Sequence, residues 1–283
     1  MRIMSTVTVV NRLEIRFADL KKAGRGALVT YTMAGDPDHE TALAIMKGLP
    51  AAGADVIELG MPFSDPMADG PAIQLAAQRS LAAGGSLSRT LDTLRAFRET
   101  DHSTPVVLMG YYNPIYARGV DRFAAEAAAA GADGLIIVDL PPEEAPELTE
   151  HLNAHGIHLI FLTAPTTDAR RLPAVLAQAG GFLYYVSITG ITGTASADEA
   201  AVKDAVAALR KSTDLPIAVG FGIKTPAQAA AFARIGDAAV VGSAVVQTLA
   251  DSLDEVRAAT EKTVPAVLGF VATLAEGVRA ARR

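Results

Sequence analysis

The stretch DVIELGMPF (55–63) is short, almost wholly apolar, and followed by the Gly- and Pro-containing loop SDPMADGP (64–71). An apolar run of this length is typical of a parallel strand that is covered on both faces. Seven further runs of the same kind occur along the chain: ALVTYTMAG (27–35), PVVLMGYY (105–112), GLIIVDL (134–140), HLIFLTA (158–164), FLYYVS (182–187), PIAVGFG (216–222) and AAVVGSAVV (238–246). The segments between them are rich in Ala. Several begin with Pro, Asp or Thr and end with Gly, as helices do.

Eight strand–helix units in one chain predict a (β/α)₈ TIM barrel, an α/β fold. An open doubly wound sheet gives the same alternation, but it is disfavoured because no GxGxxG motif follows the first strand. A helix over 12–23 is expected to cover the bottom of the barrel. Because the segment 71–100 is longer than one crossover needs, it predicts an extra helix after strand 2. No linker divides the chain, so we expect one domain over 1–283, with 1–11 as a short N-terminal extension.

Composition removes several classes of function. The 283 residues carry a net charge of −6, and a mildly acidic chain is a poor partner for nucleic acid or an anionic membrane. Cysteine is absent, which excludes disulfides, thiolate nucleophiles and Cys-ligated metals. The N-terminus lacks the long apolar core of a signal peptide, and the run 238–246 is too short to cross a membrane. The simplest expectation is a soluble cytoplasmic protein without a metal site.

The active site of such a barrel lies at the carboxyl ends of its strands. A basic residue can therefore take part in catalysis only if it lies in a strand or shortly after one. None of the five histidines follows a strand. His151 and His155 are four residues apart, a spacing that can bind metal, but a solvated helix face explains them better. Of the lysines, only Lys224 follows a strand closely, and no lysine lies within one, so a Schiff-base mechanism is disfavoured.

A carboxylate interrupts the second strand. Glu58 lies within DVIELG, so the barrel must bury it or turn it towards the pocket. Burial of an unpaired carboxylate raises its pKa, which suits acid–base catalysis. The alternative is a structural Glu that pairs with an Arg or with a backbone turn.

Four further acids follow strands, namely Asp36, Asp65, Asp69 and Asp139. Each lies beside Pro or Gly or in a short loop, where Asp commonly forms turns or caps helices. Taken singly, each is therefore ambiguous. Two or more acids that converge on one end of the barrel would be the informative case.

Glycine-containing loops follow three consecutive strands: ITGITG (188–193), GFGIKTP (220–226) and the Gly242–Ser243 pair. Backbone amides at these positions bind phosphate in many barrels. The alternative is that Gly merely permits tight turns.

Five segments together resemble the tryptophan synthase alpha subunit family. They are YTMAGDP (31–37), IELGMPFSDPMADGPAIQ (57–74), LMGYYNPIY (108–116), YYVSITGITG (184–193) and GFGIKTP (220–226), in the expected order across almost the whole chain. One departure is that Tyr31 stands where the family usually has Phe.

The resemblance implies a lyase that cleaves indole-3-glycerol phosphate into indole and glyceraldehyde 3-phosphate. Glu58 and Asp69 match the family's catalytic Glu and Asp. Tyr184, Tyr31 and Phe221 would line the indole pocket, and Thr192 would meet Asp69 when its loop closes. The matching phosphate-binding positions are Gly193, Gly222, Gly242 and Ser243. Tyr185, of opposite strand parity to Tyr184, is expected to pack outward.

The resemblance also implies a partner, the PLP-dependent beta subunit, in an αββα assembly that passes indole through a channel. The alpha chain itself would use no cofactor. Its contact surface would include Asp65, Pro66 and the segment 111–116, and Pro66 would couple the two subunits. Other phosphate-binding barrels, a non-catalytic subunit that only activates its partner, and a stand-alone indole-producing lyase are the alternatives.

Overall fold

The computed structural model describes residues 11–186, 199–220 and 222–281. Its strands are β1 (Ala27–Met33), β2 (Val56–Gly60), β3 (Val106–Gly110), β4 (Gly134–Ile137), β5 (His158–Leu159), β6 (Leu162–Thr163), β7 (Leu183–Val186), β8 (Ile217–Gly220) and β9 (Ala238–Val241). Its helices are α1 (Arg12–Lys22), α2 (His39–Ala52), α3 (Pro71–Ala82), α4 (Leu87–Arg98), α5 (Tyr112–Arg118), α6 (Val120–Ala130), α7 (Pro146–Ala154), α8 (Leu172–Gln178), α9 (Glu199–Leu209), α10 (Pro226–Ile235), α11 (Ser243–Asp251) and α12 (Thr263–Ala280).

The strands form one parallel sheet in the order β5-β4-β3-β2-β1-β9-β8-β7-β6. Its two outer strands, β5 and β6, belong to a single short segment, 158–163. Ile160 N donates to Leu135 O at 2.8 Å on one side, and Tyr184 N donates to Phe161 O at 3.0 Å on the other. The sheet therefore closes through this segment, which confirms the eight-unit TIM barrel and excludes the open sheet.

The barrel has an inner and an outer layer of side chains, because successive residues of a strand face opposite sides. Val29, Val56, Val107 and Ile136 form part of a buried inner cluster. Leu13, Phe17 and Leu20 of α1 join that cluster from below. The predicted N-terminal helix therefore does close the bottom of the barrel. Residues 1–10 of the predicted extension lie outside the described residues, whereas Asn11 is buried and caps α1.

Three acids at the lower rim join neighbouring strands. Asp55, Asp133 and Asp237 lie just before β2, β4 and β9 and accept hydrogen bonds from Leu28 N, Val106 N and Ile217 N at 2.8–2.9 Å. Each acid also pairs with an arginine. These bonds set the starting register of the strands and hence the height at which each strand reaches the upper rim.

The structure differs from the sequence prediction at several boundaries. The run 238–246 ends as a strand at Val241, and α11 begins at Ser243. The run 105–112 ends at Gly110, and its last residue begins the unpredicted short helix α5. The predicted extra helix after strand 2 is α3, which precedes the crossover helix α4.

The last described helix, α12, has the length and apolar composition of a membrane span. Val267, Val271, Leu274 and Val278 of this helix are fully buried in the same core as the barrel's outer layer. In this structure α12 thus packs one face against the barrel.

Candidate active site

A cavity of about 620 Å³ opens at the carboxyl ends of the strands. Seven of the ten site residues predicted from the sequence line it: Tyr31, Glu58, Asp69, Tyr184, Gly222, Gly242 and Ser243. The other three, Thr192, Gly193 and Phe221, lie outside the described residues, as does the loop 188–193. The cavity therefore brings together two carboxylates, two phenol rings and two Gly-containing turns.

Glu58 lies at the centre of the cavity floor. Strand register places it between Tyr31 on β1 and Val107 on β3. Its side chain is buried, and Oε1 has no hydrogen-bond partner among the described residues. Burial raises the pKa of this carboxyl group to about 8. Within the described part of the chain no Arg pairs with Glu58, which disfavours the structural alternative, and with this pKa Glu58 holds a proton at neutral pH.

Asp69 lies on the loop between β2 and α3, at the wall of the same cavity. Burial raises its pKa to about 6, and the nearby Tyr111 hydroxyl limits that rise. Tyr111 also accepts a hydrogen bond from Ala68 N at 3.0 Å, and Gln74 Nε2 donates to Asp69 O at 2.7 Å. The loop is therefore anchored from β3 and from α3, and Asp69 is mainly ionised at pH 7.

The two cavity tyrosines each require a neighbouring glycine. A Cβ atom on Gly60 would lie 2.1 Å from the Tyr31 hydroxyl, and one on Gly220 would lie 2.4 Å from the Tyr184 hydroxyl. Burial raises the pKa of both phenols well above the usual value, so both stay neutral. Tyr185 packs in the outer layer, as its strand parity predicts.

The cavity wall above β9 and β8, the two strands between β1 and β7, is formed by two glycine-containing turns. Gly222 follows β8 with a φ of 77°, a left-handed conformation that favours glycine. Gly242 is the N-cap of α11 and Ser243 is its first residue, and no side chain caps this helix. Uncapped N-terminal amides and the positive end of the helix dipole favour an anion at this position.

The remaining acids of the upper rim have structural partners. Asp36 accepts two hydrogen bonds from the Arg79 guanidinium, at 2.7 and 2.8 Å. Asp139 accepts one from Tyr112 N at 2.8 Å, so it caps α5 across the rim rather than the helix after its own strand. Asp65 is exposed and bonds to the Ser64 hydroxyl.

The histidines lie away from the cavity wall. His39 begins α2 beside Thr93, and His158 begins β5, where its Nε2 lies 3.1 Å from Glu14 Oε1 at the lower rim. Within the described ranges, no group of three or more His, Asp or Glu residues is arranged to hold a metal ion.

Sequence reasoning missed two features of the site. Tyr111, which the family resemblance places on the partner surface, also anchors the Asp69 loop. Met109, Val138, Leu162 and Val240 form much of the apolar wall. For Met109, Val138 and Leu162 the signal was present in the sequence, because each lies near the carboxyl end of its strand run with inward parity, whereas Val240 lies near the start of the run 238–246.

A closed parallel barrel with a cavity at the carboxyl ends of its strands is the architecture of the TIM-barrel enzymes. The family model described as tryptophan synthase alpha chain matches residues 17–274. The chain belongs to the tryptophan synthase alpha chain family. It is a lyase that cleaves indole-3-glycerol phosphate to indole and glyceraldehyde 3-phosphate in tryptophan biosynthesis.

Solved structures agree with this assignment. The chain is similar to tryptophan synthase subunit alpha from Legionella pneumophila str. Paris, with 39% identity and a TM-score of 0.88 over 95% of this chain and 99% of that one. It is also similar to a chain of Mycobacterium tuberculosis tryptophan synthase, with 36% identity and a TM-score of 0.86 over 95% and 99% of the two chains.

Proposed function

We propose that Glu58 and Asp69 are the acid–base pair that carries out the cleavage in this chain. The observation that carries the proposal is the Glu58 carboxyl group inside the barrel, which is 1% exposed, has a pKa near 8, and whose Oε1 has no hydrogen-bond partner in the described part of the chain. A carboxyl group that stays protonated at neutral pH is suited to general acid catalysis. Asp69, with a pKa near 6, is suited to the complementary anionic role in the same cavity.

The proposed reaction has two proton transfers. Glu58 donates its proton to indole C3 and gives an indolenine with a positive charge at the ring nitrogen. The Glu58 carboxylate then removes the proton from the hydroxyl on the carbon attached to C3. That oxygen becomes the aldehyde oxygen, the C–C bond breaks, and its electron pair returns to the ring. Glu58 is protonated again at the end of the cycle.

Asp69 stabilises the intermediate of this sequence. Its carboxylate would accept the indole N–H and offset the charge that develops there. The Tyr111 anchor and the Gln74 contact hold its loop in place before substrate binds, so little reorganisation is needed during the reaction. Thr192 would contact Asp69 when the loop that carries Thr192 closes and excludes water from the cavity.

The other cavity residues would bind the two ends of the substrate. Tyr184, Tyr31 and Phe221 would hold the flat indole ring. Backbone amides of Gly193, Gly222, Gly242 and Ser243 would bind the phosphate group. The open α11 N-terminus supports the phosphate assignment, because Gly242 and Ser243 both line the cavity that contains Glu58.

We further propose a tryptophan synthase beta subunit as the partner, in an αββα heterotetramer that transfers indole through a channel. PLP would be bound only by the beta subunit, and this chain would need no cofactor because two carboxylates suffice for the cleavage. Near the cavity, Met67 is 80% exposed and Tyr116 is 64% exposed. Exposed apolar side chains beside Pro66 and in the segment 111–116 support docking at this rim. The assembly would be cytoplasmic.

The test is an indole-3-glycerol phosphate cleavage assay with and without a beta subunit. Glu58→Gln and Asp69→Asn are each expected to lower kcat by about 10²–10⁴-fold. Glu150→Gln, on the exposed face of α7, is the matched control and should retain activity. Retained cleavage in Glu58→Gln would refute the mechanism. Full activity that does not change when the beta subunit is added would favour a stand-alone lyase over the proposed assembly.

A further inference from the structure

Helix α3 begins directly after the loop that carries Asp69. Pro71 is the first residue of the helix, and Gln74 Nε2 donates to Asp69 O at 2.7 Å. Ala72 and Ile73 in the first turn line the cavity. The place of Asp69 in the cavity therefore depends on where the first turn of α3 lies.

The second half of α3 is bonded to the loop that follows β1. Arg79 donates to both carboxylate oxygens of Asp36, from Nε at 2.7 Å and from Nη2 at 2.8 Å. The next residue, Ser80, donates its hydroxyl to Ala34 O at 2.5 Å. These bonds hold α3 about two turns beyond the part of the helix that borders the cavity.

The Asp36–Arg79 ion pair is almost wholly buried. The side chain of Asp36 is 1% exposed and that of Arg79 is 10% exposed. A buried ion pair adds little net stability, because taking both charges out of water offsets most of their attraction. It does supply direction, since a planar guanidinium that bonds to both oxygens of a carboxylate can adopt only one orientation.

We propose that Arg79 is a positioning residue for the cleavage, which fixes α3 through Asp36 so that Gln74 holds the Asp69 loop in place. The inference rests on the proposed catalytic role of Asp69. The first turn of α3 borders the open cavity, so the direction of the helix is set by its second half. Displacement of a catalytic group by about 1 Å costs up to about 10²-fold in rate, so the pair affects kcat even where it adds little stability.

The kinetic test is Arg79→Lys, which keeps the charge but loses the two-point contact. It is expected to lower kcat by about 10–10²-fold. KM should stay nearly unchanged, because the proposed phosphate site belongs to the turns after β8 and β9. A displaced loop also weakens the contact of Asp69 with the Tyr111 hydroxyl, which limits the rise in the pKa of Asp69. The acidic limb of the kcat/KM profile should therefore move to higher pH.

Arg98→Lys is the matched control, because Arg98 and Asp133 form an equally buried pair at the lower rim, 9% and 2% exposed. Arg98 also donates to Thr104 O and Gly131 O. Its variant should therefore lower the melting temperature of the full chain at least as much as Arg79→Lys does. It should nevertheless keep the kcat and the acidic limb of the parent chain, measured well below both melting temperatures.

An unchanged kcat and acidic limb in Arg79→Lys, or the same changes in Arg98→Lys, would overturn the inference. If Arg79→Lys does not fold, the double variant Asp36→Asn/Arg79→Met replaces it in the same assays, because that variant leaves no buried charge without a partner.

Asp69→Asn separates this inference from the proposal on which it rests. If Arg79 acts through Asp69, Arg79→Lys should lower the kcat of the Asp69→Asn chain far less than it lowers that of the parent chain. Equal fold-losses in the two chains would overturn only the role of Arg79. Full activity in Asp69→Asn would refute the catalytic role of Asp69, and the role of Arg79 with it.

Discussion

Glu58→Gln should remove activity, and its stability relative to the parent chain should rise with pH above about pH 5. In the folded chain, burial raises the pKa of Glu58 from 4.5 to about 8. Between these values the folded state holds a proton that the unfolded chain has released. The free energy of unfolding therefore falls as the pH rises, by up to about 1.4 kcal/mol per pH unit. A Gln at this position does not titrate, so the free energy of unfolding of the variant does not fall with pH for this reason.

The size of this stability difference follows from how far the pH lies above the ordinary pKa of the carboxyl group. At pH 7, two and a half units above 4.5, the parent chain loses about 3 kcal/mol relative to Glu58→Gln. Near pH 8 the difference approaches about 5 kcal/mol and then levels off, because the folded state also releases its proton. Below pH 4.5 both states are protonated and only a constant offset between acid and amide remains.

Urea unfolding at pH 4.5, 6, 7 and 8 would measure this difference. Circular dichroism is the suitable signal, because the chain has no Trp. All other titrating groups are common to both chains and cancel in the comparison. Glu150→Gln serves as the exposed control and should differ from the parent by the same amount at each pH. A Glu58→Gln difference that also stays constant from pH 4.5 to 8 would refute the claim that Glu58 is buried without a partner.

For the parent chain, kcat/KM for cleavage should follow a bell-shaped pH profile. It should rise near pH 6 as Asp69 ionises and fall near pH 8 as Glu58 loses its proton. A flat profile from pH 6 to 9 would contradict both assignments. Tyr111→Phe removes the hydroxyl that limits the rise in the pKa of Asp69, so the acidic limb of the profile should shift to higher pH while the basic limb stays in place. Gly60→Ala should destabilise the fold by about 1–3 kcal/mol, because its Cβ would overlap the Tyr31 hydroxyl. Adding Tyr31→Phe should recover part of that loss in thermal melts, and no recovery would show that the clash lies elsewhere.

Much of the fold could be read from the sequence, because its signals are local. Each strand run is apolar over its own few residues, and the Pro and Gly residues around it mark where helices begin and end. The predicted strand ends that differ from the structure do so for one reason. In AAVVGSAVV the apolar residues continue past Val241, and only the turn at Gly242 shows that Ser243 begins a helix. Likewise, Tyr112 reads as strand because nothing local reveals α5.

Strand position in the sequence is enough to predict which acids reach the upper rim, and strand parity predicts that Tyr184 faces inward and Tyr185 outward. Which of those acids is left without a partner depends on contacts between residues that are far apart in the chain. Arg79 pairs with Asp36, 43 residues away, and Asp139 bonds to Tyr112 N, 27 residues away. Glu58 is left without a partner among the described residues. The pKa of a carboxyl group depends on its burial and its neighbours, and closure of the barrel chooses those neighbours from distant parts of the chain.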